Sequence, residues 1–166
     1  DDCYAVEASL GYDGSAIGIG ILVGKNEASG VITNSYTSGT IISMYWDNSE
    51  TINVAIASAG VGGVVGINDA SIVSDSYSGG ISVGLVGGGG IAGVNFDGGI
   101  VSECYTVGFN VGVALGGGLV GINSDGSIVT ASFTAGTFIG AVGTGKIVGA
   151  NIASTVSDCT GFGTIV

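Results

Sequence analysis

One stretch of seventeen residues, Gly117-Gly-Leu-Val-Gly-Ile-Asn-Ser-Asp-Gly-Ser-Ile-Val-Thr-Ala-Ser-Phe133, recurs along most of the chain, and a chain made of phased copies of one short unit has few folds open to it. Aligned on a Gly-x-Asn step, the copies fall at Gly24/Asn26, Gly66/Asn68, Gly93/Asn95, Gly121/Asn123 and Gly149/Asn151, spaced by 42, 27, 28 and 28 residues. An aromatic position comes nine or ten residues after each Asn, preceded by a small residue: Ser35-Tyr36, Ser76-Tyr77, Cys104-Tyr105, Ser132-Phe133 and Cys159-Thr160, where the aromatic is lost. A β-branched pair lies between the two landmarks, as Val31-Ile32, Ile72-Val73, Ile100-Val101, Ile128-Val129 and Thr155-Val156. A period of this length marks a stacked array, in which no single copy buries its apolar face alone.

Within a copy, Val, Ile, Thr and aromatics alternate with small residues, Gly recurs every few positions and Pro is absent, which reads as short strands and turns. The fourth copy predicts strands over Gly118–Asn123, Ser127–Thr134 and Thr137–Val142, joined by Asp-Gly or Ala-Gly corners. Three short strands in 28 residues fit one coil of an all-β, parallel β-solenoid of about five to six coils. Residues 1–16 form a partial coil whose Cys3-Tyr4 echoes the later Cys/Ser-aromatic step. Copy one covers 17–43, an insertion covers 44–59, copies two to four cover 60–144 and an incomplete copy ends the single domain at 145–166.

Coils of such a solenoid lie about 4.8 Å apart, so equivalent residues form columns. Asn26, Asn68, Asn95, Asn123 and Asn151 are expected to form a side-chain ladder at a corner, satisfying backbone groups that the bend leaves unpaired. Tyr4, Tyr36, Tyr77, Tyr105 and Phe133 are expected to form an aromatic column, and the β-branched pairs to supply the core.

The segment Gly117-Gly-Leu-Val-Gly-Ile-Asn123, with its reduced forms Gly62-Gly-Val-Val-Gly-Ile-Asn68 and Gly90-Ile-Ala-Gly-Val-Asn95, resembles the GLUG repeat of bacterial secreted and surface proteins, adhesin-like chains among them. The following Ser35-Tyr36 and Ser76-Tyr77 also match, and the likeness covers roughly residues 17–43 and 60–166. It departs in the insertion, in Gly90 to Asn95 and in the last copy, where Lys146-Ile-Val-Gly149 lacks the leading Gly pair. The resemblance implies an extracellular, surface-associated β-solenoid and carries no catalytic residues.

Composition excludes several functions. Thirteen acids face only Lys25 and Lys146, for a net charge of −11 and a pI near 4.1, which repels nucleic acid. Divalent cations can bridge such a surface. Charged residues are 9% of the chain and the mean hydropathy is +0.67, values that raise the question of a membrane span. The uncharged runs Ser76–Phe96 and Cys104–Ser124 are broken by glycines and recur in repeat phase, unlike the continuous apolar run of about 20 residues that a spanning helix needs. A chain that starts Asp1-Asp2-Cys3 without Met reads as a secreted product whose signal peptide has been removed.

With no His, the chain offers no His-dependent triad, base or metal site. Asp75, Glu103 and Asp158 share one repeat phase and read as a solvated acidic face, since the fourth copy has Ala131 there. Asn95-Phe-Asp-Gly98 and Asn123-Ser-Asp-Gly126 lack the carboxylate density of a calcium shell and read as turns. The Gly-x-Gly-x-x-Gly match at Gly116–Gly121 belongs to the repeat and precedes no helix. No enzyme activity, cofactor or metal is expected.

Three groups of residues carry functional expectations. Tyr45 and Trp46 stand in the insertion beside Asp47, Asn48 and Glu50, where an exposed aromatic pair can recognise a glycan or a host protein. Cys3, Cys104 and Cys159 share the phase just before the aromatic. Cys104 and Cys159 are two coils apart, about 9.6 Å, too far to bond within one chain. Cys159 of one subunit and Cys3 of the next fall on adjacent coils if partial coils meet end to end, which allows a disulfide between subunits. Thr40, Thr137 and Thr164 share a column interrupted by Ile81 and Phe109, a pattern that invites comparison with ice-binding faces. No cap is evident at either end, so the leading expectation is a structural subunit that stacks into an extracellular filament or adhesive stalk; an adhesin-type binding module and an ice-binding protein are the alternatives.

Overall fold

A computed structural model describes residues 3–12, 17–43, 45–46, 52–53 and 59–166, and every regular element among them is a β-strand. In chain order these are β1 (Tyr4–Tyr12), β2 (Ile17–Gly20), β3 (Val23–Asn26), β4 (Val31–Thr33), β5 (Tyr36–Ser43), β6 (Tyr45–Trp46), β7 (Ile52–Asn53), β8 (Ala59–Gly62), β9 (Val65–Asp69) and β10 (Ile72–Ser74). They continue with β11 (Tyr77–Gly89), β12 (Ala92–Phe96), β13 (Ile100–Ser102), β14 (Tyr105–Ala114), β15 (Val120–Ser124), β16 (Ile128–Thr130), β17 (Phe133–Ile139), β18 (Val148–Ile152), β19 (Thr155–Ser157) and β20 (Thr160–Ile165).

The strands wind into a parallel β-solenoid with three walls. The Asn wall has the order β18-β15-β12-β9-β3, a short wall has β19-β16-β13-β10-β4, and a long wall has β1-β5-β11-β14-β17-β20 with β2 and β8 alongside. Repeat equivalents pair directly: Asn68 with Asn95, Val73 with Val101, Tyr77 with Tyr105. From Asn26 to Asn151 the chain makes about four turns of about 28 residues, fewer than the five to six expected, because the fragments at the two ends are not full turns. Within the insertion, β6 and β7 form the one antiparallel pair among the described residues. Met44, Asp47–Thr51 and Val54–Ser58 lie outside the description, as do the side chains of Tyr45 and Trp46.

The uneven period has a local cause. Asp97-Gly98 and Asp125-Gly126 turn the chain with two consecutive positive φ angles, whereas the second and fifth copies turn on Ala70 or Ala153 alone and are one residue shorter. The step from Asn68 to Asn95 is therefore 27 residues rather than 28, with no loss of register beyond the corner.

Two expectations about the strands need correction. The second strand of a copy does not run from Ser127 to Thr134: it breaks at Ala131, where φ is 47°, and β16 and β17 lie on either side of that corner. Equivalent left-handed residues are Asn34, Asp75, Glu103 and Asp158. Nor does Ala135-Gly136 make a corner. Gly136 lies inside β17, in a file with Gly39, Gly80, Gly108 and Gly163. There the coils approach so closely that a Cβ on Gly108 would stand 2.2 Å from the Gly80 carbonyl oxygen, and one on Gly136 would stand 2.1 Å from that of Gly108.

The core is narrower than the β-branched pairs suggested. Only the second member of each pair points in, as Val73, Val101 and Val129 do, while Val31 and Ile72 face solvent, because side chains alternate along a strand. The Leu-Val step of the repeat completes the core: Val64-Val65, Ile91-Ala92 and Leu119-Val120 are wholly buried, and they pack with Ile32 and Cys104 into one cluster. At roughly 1.5–3 kcal/mol for each large aliphatic side chain removed from water, these columns are the main favourable term in stability.

The two kinds of glycine predict different costs. Gly108→Ala drives a Cβ into backbone that cannot yield and should abolish the cooperative unfolding transition seen by circular dichroism. Gly98→Ala meets no atom within 4 Å but keeps φ at +77°, and should cost only about 1–2 kcal/mol in urea titration.

Candidate functional site

The five Asn side chains stand in single file down one corner. Asn26 Nδ2 donates to Asn68 Oδ1 at 3.0 Å, and Asn68 to Asn95, Asn95 to Asn123 and Asn123 to Asn151 each at 2.8 Å. Each amide nitrogen also donates to carbonyls at the bend; Asn95 does so to Gly99 at 3.0 Å and to Ile128 at 3.3 Å. Asn68, Asn95 and Asn123 are wholly buried, so the file replaces water at a corner where the backbone turns away from its own sheet. The file has a direction, because every Nδ2 points toward the following coil. At the last level Asn151 is exposed and donates only to Ser154. At the first level Asn26 donates to the Gly30 and Ile72 carbonyls, each at 3.2 Å, as well as to Asn68.

A second file runs through Cys3, Ser35, Ser76, Cys104, Ser132 and Cys159. Ser35, Ser76 and Ser132 each donate to the carbonyl two residues back, at 2.7–2.8 Å, and so tie down the left-handed corner. Cys159 makes the weaker sulfur equivalent to Ser157 at 3.1 Å. Cys3 is exposed at one end, Cys159 is half-buried at the other, and Cys104 is buried between them. Burial pushes the Cys104 thiol up to about 12 and raises that of Cys159. A bond between Cys3 and Cys159 therefore needs two molecules.

The acids of shared phase, Asp75, Glu103 and Asp158, are exposed at the left-handed corner, a conformation that Asp and Asn tolerate better than most residues. Their shared phase thus has a backbone cause, which the sequence pattern alone did not suggest. At the first coil Lys25 binds Glu27 and reaches Asp69 at 3.1 Å, and these bonds raise its pKa, that to Glu27 foremost.

The long wall is inverted in polarity. Its inner row, Thr37, Ser78, Thr106 and Thr134, is buried and small, while Tyr36, Ile81, Tyr105, Val107 and Phe109 are exposed on its outer face. Backbone proximity explains this. A Cβ on Gly63 would stand 2.1 Å from Ser78 Oγ, and one on Gly90 would stand 2.4 Å from Thr106 Oγ1, so at this row only hydroxyl-sized side chains fit between the walls, while Asn110 and Phe138 are buried four residues further along the strands. The apolar residues of this wall are left outside. Along it Tyr77 stacks on Tyr105 at 4.4 Å and on Tyr36 at 6.4 Å, with interplanar angles near 20°. Phe133 tilts against Phe162 at 5.7 Å. Tyr77 thus lies between two tyrosine rings, whereas Tyr105 is stacked on Tyr77 and is 48% exposed. Tyr4 belongs to this file by register, opposite Tyr36. Thr40, Ile81, Phe109, Thr137 and Thr164 share the adjoining row.

The ends are the other distinctive surfaces. At the last coil, β18, β19 and β20 each close one wall, and the core columns come to the surface: Val156 is 37% exposed, whereas its equivalent Val129 is wholly buried. Phe162, Ile165 and Val166 are exposed beside it. At the first coil, Leu22, Val23, Asn26, Ile32, Ser35 and Cys3 line a hollow of about 400 Å³.

Among the described residues no group of His, Cys, Asp and Glu is placed to hold a metal ion, and no helix is long and apolar enough to cross a membrane. Comparison with protein families, curated proteins and solved structures finds no match to this chain.

Two predictions follow from the files. Asn95→Ala removes a donor from Asn123 and from the Gly99 and Ile128 carbonyls and should cost roughly 3 kcal/mol in urea unfolding, at about 1–3 kcal/mol for each buried group left unpaired; Asn151→Ala at the exposed end should cost under about 1 kcal/mol. The thiols should react with a disulfide reagent in the order Cys3, Cys159, Cys104, the last only on unfolding. Because the folded state keeps the Cys104 proton above the ordinary value of 9.0, its contribution to stability is full below about pH 9 and is lost as pH rises toward 12.

Proposed function

We propose that the chain is an extracellular structural subunit that stacks end to end, coil on coil, into a surface filament or the stalk of an adhesive structure. The observation that carries this reading is the level formed by β18, β19 and β20, each of which pairs with one neighbour only among the described residues. Three parallel strands offer unpaired edges there, over core columns that are buried at every inner level. Such an edge is a template for another strand, and charge, bulges or covering segments are the usual means of blocking it. Charge does not block these strands: Val148–Ile152, Thr155–Ser157 and Thr160–Ile165 are all uncharged. The GLUG-like core supports the placement outside the cell, since the repeats it resembles belong to secreted and surface proteins.

End-to-end contact is heterologous, and because it repeats the coil-to-coil translation along the solenoid axis it does not close on itself, so the assembly is an open fibre rather than a ring. Light scattering over a rising protein concentration, followed by negative-stain microscopy, tests this. Growth to unbranched filaments one solenoid wide is expected. A particle of monomer mass at every concentration, with no fibres, would reject the reading.

A further inference from the structure

We infer that the outer face of the long wall is a pairing surface for the same face of a second copy, with the two solenoid axes parallel. This side-by-side contact goes beyond end-to-end stacking and does not need it.

The face is centred on β14, which pairs with β11 on one side and β17 on the other, so its exposure does not come from an end of the chain. Along β14 the side chains alternate. Thr106 and Asn110 point in and are buried, while Tyr105, Val107, Phe109 and Val113 point out and are 37–48% exposed. Ile81 on β11 stands beside Phe109 in the same outward row and is exposed with it. No residue of β11, β14 or β17 is charged. In a chain with a net charge of −11, an uncharged sheet face of aromatic and aliphatic side chains is a surface that association takes out of water.

Area, spacing and charge point to a second copy as the occupant. Five consecutive strands, β5 to β20, about 4.8 Å apart and about 25 Å long, give a flat face of about 600 Å² on each copy, so a pair buries about 1,200 Å², the lower end of the range for specific interfaces. Side-chain rows on both faces repeat at the same coil spacing, so the ridges of one copy stay in step with the grooves of the other from coil to coil. A cationic partner would be drawn to the acids at the corners rather than to this face. Asp75, Glu103 and Asp158 stand exposed two residues before β11, β14 and β20 begin, and they repel an anionic surface brought against the wall.

Those same acids choose the orientation. They flank only the edge where the strands start; beyond the far edge, residues 90–94, 115–119 and 140–145 are uncharged. If the two axes run antiparallel, the acid rows of both copies fall on the same side, about 10 Å apart at the spacing of stacked sheets. If the axes run parallel, the strands of the two copies are antiparallel, and each acid row meets the uncharged far edge of the other copy. The two rows then stand about 25 Å apart, well beyond the Debye length of about 8 Å at physiological salt. Phe109 lies midway between Tyr105 and Val113, so the two-fold axis runs along its row and Val107 of one copy faces Val111 of the other. The net charge still opposes the contact at low ionic strength, where a stacked filament stays one solenoid wide, and salt favours the pair.

Sedimentation velocity at rising ionic strength tests the pairing. The wild type should run at monomer mass in about 0.01 M salt, where the Debye length is about 30 Å, and at twice that mass in about 1 M, where it is about 3 Å. Val107→Glu and Val111→Lys each bury an unpaired charge in the contact, and each variant should keep the wild-type circular dichroism and stay at monomer mass in high salt. Mixed in equal amounts, the two should recover the doubled mass, because only parallel axes set position 107 opposite position 111. A wild type of monomer mass at every ionic strength, or a doubled mass that Val107→Glu leaves unchanged, would overturn the pairing. Variants that remain monomeric when mixed would overturn the parallel orientation. Co-sedimentation of a monomeric wild type with phosphatidylcholine vesicles would give the face to lipid and overturn the second copy as its occupant. Fibres one solenoid wide in high salt would leave the stacking intact and reject the pairing, whereas paired particles that never form fibres would do the reverse.

Discussion

The file of Asn side chains is the constraint on which the rest of this structure depends. A corner of a solenoid turns backbone carbonyls away from their sheet, and the buried amide is the group that answers them level after level. Because each amide needs its equivalent directly above or below, the file forbids any slip between coils. Everything else inherits that register. Val73, Val101 and Val129 fall into one core column, Tyr36, Tyr77 and Tyr105 into one stack, and the glycines of the long wall into one close approach. An amide at an inner level is shared between two coils, so the copies are stabilised in series rather than singly.

The same geometry accounts for a composition that looks unsuited to a water-facing protein. The long wall lies so near the glycine backbone opposite that its inner row holds only Ser, Thr and a few larger residues near its far end, such as Phe138. Apolar side chains that would fill a wider core stand outside, in stacked tyrosines and exposed aliphatics. The mean hydropathy is thus a property of a thin solenoid whose walls nearly touch. It does not require a lipid environment.

Much of this was legible in the sequence. The Gly-x-Asn phase identified the coils and the aromatic phase identified a column of rings, because each needs the same residue type at each level; the burial of the Leu-Val step is not read from the sequence, which assigns the core to the β-branched pairs. What stayed hidden depends on φ. Asn34, Asp75, Glu103, Ala131 and Asp158 share a left-handed corner, yet as letters they look like an acidic pattern with exceptions. Gly136 after Ala135 looks like a turn and is a mid-strand contact with Gly108. Alternation also divides Ile72 from Val73 and Ile100 from Val101, which a sequence presents as equal pairs.

The most direct test of the central claim is the state of the Asn side-chain amides in solution. Nitrogen-15 spectroscopy of Asn-labelled protein should show the NH₂ groups of Asn68, Asn95 and Asn123 protected from exchange and in contact, each with the equivalent group on the adjacent coil. Side-chain amides that exchange at the rate of solvent-exposed Asn and show no contact from coil to coil would contradict it.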